Sequence, residues 1–332
     1  MTPVSFLDAS GWAPGAVLAL HWISVGAAAS LPWLAAHLEW RGWKHDSAVD
    51  REAAARLGDA AVSNVGSVFL FGAAALLLAS AQDPAAFFTA AVLLASALFA
   101  LLALAAGYIA LLYLHRHGWG GGRPLLRAAA AAGAGLLAAP AVAVLAAVSL
   151  AASDPALWPR LGSDPWMIFS QRGLLLRAAH LYLAAFATGG VALMLVGRRA
   201  FRWESAIPLS GGARLIKRGA LVALLALLLA IGLDGAWLFL NGLGIAREMV
   251  AEGGPPMLFA LAVVAGGGVL LLEILVSAIR WRGSAPRASA AAALLLLVVA
   301  LGAGSARSLM GRPQPGAPGP SASSGPLEGG RR

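Results

Sequence analysis

Cysteine is absent from all 332 residues. That excludes disulfides, iron–sulfur clusters and covalent haem attachment through a CxxCH site, leaving His, Met and carboxylate as the only metal ligands. Charge is scarce as well. Asp, Glu, Lys and Arg make up 12% of the chain, about half of what a soluble domain carries. No glycine-rich phosphate loop, zinc motif or hydrolytic triad is found, so nucleotide chemistry and simple hydrolysis have no sequence support.

What is abundant is apolar. Hydrophobic residues make up 60% of the chain and the mean hydropathy is +0.79. They fall in long Ala- and Leu-rich runs rather than the alternating segments of a membrane β-barrel. The predicted fold class is all-α: a polytopic membrane helical bundle with about eight transmembrane helices. Their predicted spans are roughly 14–40, 58–80, 87–114, 124–152, 170–197, 213–240, 257–281 and 287–306. Residues 1–310 form the bundle, and the Pro/Gly/Ser-rich stretch 311–332 is expected to be a disordered tail. No Lys or Arg precedes the first helix and no A-x-A site follows it, so that helix is expected to be retained.

The net charge of +9 reports topology rather than nucleic-acid binding. Sixteen of the 24 basic residues fall in alternate loops, at 41–56, 116–127, 198–218 and 280–287. By the positive-inside rule these loops are cytoplasmic and both termini lie outside, as expected for a bacterial inner membrane protein. Most of the 11 Trp residues cluster near the span ends as an interfacial belt.

Ionisable residues inside the spans are the functional candidates, because each costs roughly 2.5–3.5 kcal/mol to insert. In LRAAHLYLAAFATGG (176–190), Arg177 and His180 lie one turn apart on one helix face. His21 in helix 1 and His180 in helix 5 fall at matched depth, roughly 10 Å inside the outer boundary. Two histidines so placed suit b-type haem, an imidazole per iron, and Arg177 suits a haem propionate. The plainer reading is that each His bonds a neighbouring carbonyl. His37, His45, His115 and His117 fall at or beyond the cytoplasmic boundary. Glu39 sits at that end of helix 1, where snorkelling explains it. Asp234 and Glu273 are candidates for a proton path, with Glu39 a third. Met257 could offer a thioether ligand, or simply pack. The HDSAVD stretch (45–50) reads as a solvated loop.

Several short stretches resemble subunit I of cytochrome bd quinol oxidases. LHWISVGAAASLPWLAAHLEW (His21, Glu39) and SNVGSVFLFG (Asn64, Gly66, Gly72) match that family's first two helices. RAAHLYLAAFATGG matches its helix 5, with Arg177, His180, Thr188 and Gly189 in register, and Asp234 falls near a Gly-Asp of helix 6. The resemblance implies a haem-bearing respiratory subunit that exchanges electrons with quinol, beside other membrane subunits and an external cytochrome. The chain also departs from the family. SALFALLALAAGYIALLYLH lacks the helix 3 glutamates, the helix 7 Met position falls at Val263 or Val264, and Leu309 stands in place of a carboxylate. The loop after helix 6 is cut to NGLGIAREMVAEGGPP. Oxygen reduction by this chain alone is therefore not expected. The rival expectation is a haem-free or haem-poor sister subunit that packs against a catalytic chain.

Overall fold

The computed structural model describes residues 9–82, 84–118, 122–199, 207–240, 255–279 and 284–310. It describes their side chains except those at 9–15, 79, 82, 153, 172, 234–240, 255–261, 284–285 and 300–310. The tail 311–332 lies outside the described residues. The helices are α1 (Ala9–Lys44), α2 (Ala48–Gln82), α3 (Pro84–Leu93), α4 (Ala95–His117), α5 (Pro124–Ser153), α6 (Trp158–Ser163), α7 (Arg172–Arg199), α8 (Leu209–Leu240), α9 (Pro255–Ile279) and α10 (Ser284–Met310).

No strand occurs among the described residues, and seven helices are long and apolar enough to cross a membrane. The apolar part of α10, Pro286–Val299, is shorter. The chain is an all-α polytopic bundle and a multi-pass membrane protein, as its composition demands. Large apolar side chains such as Leu70, Leu77, Phe99 and Val92 face outward, where in a bilayer they meet lipid rather than water.

Helix α1 is the centre of the bundle and packs against α2, α5, α7 and α10. Half of its apolar stretch is buried, against 6% for α2. Small residues make this possible: Ala29, Ser30 and Ala35 are buried where neighbouring helices come close. Helices α7 and α8 approach more tightly still. A Cβ on Gly190 would lie 2.6 Å from the Gly219 carbonyl oxygen, and one on Gly197 would lie 2.6 Å from that of Gly212. Seven residues up one helix match seven down the other, so the two are antiparallel, with backbones in contact. A second core joins α7 and α8 to α9 and α10 through Met194, Ile216, Leu270, Ile274 and Leu295.

Two elements differ from the sequence expectation. The stretch predicted as one helix over 87–114 is broken at Leu94 (φ −107°, ψ 22°) into α3 and α4. Helix α2 starts at Ala48, well before the predicted 58, because residues 48–58 are helical outside the apolar run. Its start is fixed locally. The Ser47 N–H donates to the Gly42 carbonyl at 3.0 Å, closing α1 as in a Schellman motif. Asp46 takes the left-handed position there (φ 47°). The Ser47 hydroxyl then accepts from the Asp50 N–H at 3.2 Å and caps α2. The 45–50 stretch is solvated only in part: His45 and Asp46 are exposed, whereas Asp50 is only 3% exposed.

Candidate functional site

The bundle has a basic end, where Arg41, Arg116, Arg127 and Arg218 reach acids of α1 and α2, and a less basic end that holds His21 and His180. Helices α1 and α7 run parallel. Gly26 faces Ala185 and Ser30 faces Gly189, and both pairs have the sequence separation of His21 and His180. The two imidazoles therefore stand at one level, as matched depth predicts. Small residues hold this register. A Cβ on Gly189 would come 2.6 Å from the Ser30 hydroxyl, and the Thr188 hydroxyl folds back to donate to the Ala184 carbonyl at 3.3 Å. Trp33 Nε1 donates to the Tyr182 hydroxyl at 2.6 Å, a further cross-link between α1 and α7.

The two rings face different neighbours. His180 lines a cleft of about 220 Å³ with Arg177 and Leu181 of α7, Trp22 of α1, and Ala146 and Ser149 of α5. Arg177 is exposed at the edge of the cleft. His21 turns toward α2, where a Cβ on Gly72 would come 3.3 Å from its Cε1. Its Nδ1 is buried without a hydrogen-bond partner among the described residues. Trp22 stands beside it, the ring centroids 6.0 Å apart. Asn64 of α2 donates to the Ser24 carbonyl at 2.7 Å, tying α2 to α1 one turn below His21.

Glu39, His115 and Glu273 do not join this end, whereas the antiparallel register of α8 with α7 puts the backbone of Asp234 level with it. Glu39 is buried at the basic end, 2% exposed, with its Oε1 3.5 Å from Arg127 Nε. Snorkelling is therefore the wrong explanation for it: α5 covers the carboxylate and Arg127 neutralises it. His115, placed by sequence at an interface, is 1% exposed. Its Nδ1 lies 3.0 Å from the Arg127 carbonyl and its ring presses on Gly58 of α2. Glu273 lies 3.6 Å from Arg287, a pair between α9 and α10. Asp234 and Met257 fall on α8 and α9, but their side chains lie outside the described residues. Among the described residues no three His, Asp or Glu converge as metal ligands.

No family model matches the chain, and no curated protein does. The site therefore rests on its own geometry. Its donor types fit haem: an imidazole, a guanidinium one turn away, an aromatic wall and small residues opposite. The cleft itself falls short of the roughly 300 Å³ at which closed ligand pockets begin. It could receive one edge of a porphyrin, with the rest of the ring lying beyond these side chains. Sequence reasoning missed Trp22, Ala146 and Ser149. Ala and Ser in an Ala-rich helix give no signal of lining a site, and nothing in the pattern around Trp22 marks it as a cleft wall.

Proposed function

We propose that this chain is a b-type haem electron-transfer subunit of a cytochrome bd-like respiratory complex in a bacterial inner membrane, with both termini outside. In this role it passes electrons between quinol and a partner near the outer face, such as an external cytochrome. The observation that supports it best is the level placement of His21 and His180 on parallel α1 and α7, with Arg177 opening on the same cleft as His180. A haem b at such a site supplies reversible one-electron transfer.

The chain's own residues have definite tasks in this reading. His180 would hold iron at the α7 cleft, and Arg177 would bind a propionate through charge-assisted hydrogen bonds. Trp22 walls the cleft, and Ala146 and Ser149 leave room opposite. His21 would serve a second iron between α1 and α2, where Gly72 keeps side-chain bulk away from the ring. Glu39, Asp234 and Glu273 remain candidates for proton movement. Of these Glu39 is buried with one carboxylate oxygen, Oε2, lacking a hydrogen-bond partner among the described residues.

The small cleft favours the second reading, a haem-poor sister subunit that packs against a catalytic chain. A pyridine haemochrome count on protein purified from haem-supplemented cells separates the two. Stoichiometric protohaem, lowered in both His21→Ala and His180→Ala, supports the electron-transfer subunit. Folded protein with no haem supports the sister subunit.

A further inference from the structure

The basic end is electrically divided. On the side built from α1, α2, α4 and α5, four arginines have acids of their own: Arg51 pairs with Asp46, Arg56 with Glu52, Arg116 with Asp59 and Arg127 with Glu39, while Lys44 lies over the Trp40 ring and Arg123 has no carboxylate within reach among the described residues. Arg41 and Arg218 share Asp50. Where α7 meets α8 the pattern stops. Arg198, Arg199, Arg214 and Lys217 are all exposed, and no carboxylate lies within 4.0 Å of any of them among the described residues. The antiparallel contact of Gly197 with Gly212 brings the end of α7 level with the first turns of α8, so all four cations stand at the basic end, while α7 packs on the side of α8 opposite Arg214 and Lys217.

A second feature continues from the first. Arg214, Lys217, Leu221, Leu225 and Leu228 recur at helical spacing along one face of α8. All five are exposed, Leu225 to 60%. From Lys217 to Leu228 the stripe runs about 16 Å at 1.5 Å per residue, which matches one leaflet of a hydrocarbon core about 30 Å thick. Positive charge at the rim followed by one leaflet's depth of leucine is complementary to a phosphate headgroup carrying an acyl chain.

We propose that this face of α8 binds an anionic phospholipid. Arg214 and Lys217 take the headgroup phosphate, and Leu221, Leu225 and Leu228 take an acyl chain. The site lies at the opposite end of the bundle from His180 and stands whether or not haem binds there.

The test incubates the full-length chain in detergent with equimolar phosphatidylglycerol and phosphatidylcholine and counts bound lipid by native mass spectrometry. Wild type retains phosphatidylglycerol preferentially. Arg214→Gln and Lys217→Gln each lower that retention about fivefold, equivalent to roughly 1 kcal/mol per basic side chain, with unchanged melting temperature. Arg116→Gln, whose charge already has Asp59, leaves retention unaltered. Equal retention of both lipids by wild type would overturn the proposal. So would the same loss in Arg116→Gln, or full competition by inorganic phosphate, which would indicate an anion site with no role for the leucine stripe.

Discussion

Asp50 and Arg218 lie 168 residues apart in the chain and 2.5 Å apart in space. Asp50 stands in the first turn of α2, with its side chain only 4% exposed, and Arg218 reaches it from α8. Arg41 of α1 adds a second contact at 3.5 Å. One carboxylate thus joins three helices at the basic end. Asp50→Asn keeps the volume and removes the charge, leaving both guanidinium groups uncompensated. The expected loss is about 1–3 kcal/mol, read as a lower melting temperature in detergent. Asp46→Asn, at an exposed carboxylate paired with Arg51, should change it little.

His115 and Gly58 make a sharper pair. A Cβ on Gly58 would sit 2.6 Å from His115 Nε2, and the ring is held on its other side by the Arg127 carbonyl. Gly58→Ala is therefore expected to destabilise the protein by about 1–3 kcal/mol, the usual effect of overpacking. In a His115→Ala background the same substitution should have almost no effect. A double-mutant cycle on melting temperature reads the coupling, and additive effects would show that the two do not press on each other.

The contact of α7 with α8 should tolerate no side chain at Gly190 or Gly219. Either position has a backbone oxygen within 2.6 Å of a new Cβ, and backbone cannot move aside as a side-chain tip can. Gly190→Val and Gly219→Val should both reduce folded yield strongly. Gly232→Val is the control, because nothing lies within 4 Å of its Cβ.

The sequence displays the spans and hides their junctions. Hydropathy finds the helices because the bilayer fixes their length and composition, and the matched depth of His21 and His180 follows from counting residues along two such spans. Asp50 and His115 were misread for a common reason. Each sits beyond its apolar run, where polarity reads as exposure, yet each is covered by a helix distant in sequence. Leu94 carries no Pro or Gly to announce a break. Trp22, Ala146 and Ser149 come together only through packing of α1, α5 and α7, which no local pattern records.

The most direct measurement is a dithionite-reduced minus oxidised visible spectrum of the purified wild type, beside His180→Ala and Arg177→Gln. A b-type α-band in the wild type that is lost in His180→Ala, and kept but shifted in potential in Arg177→Gln, is the expected result for a haem held at the α7 cleft. A folded, haem-supplied wild type with no α-band, or a band indifferent to His180→Ala, would contradict it.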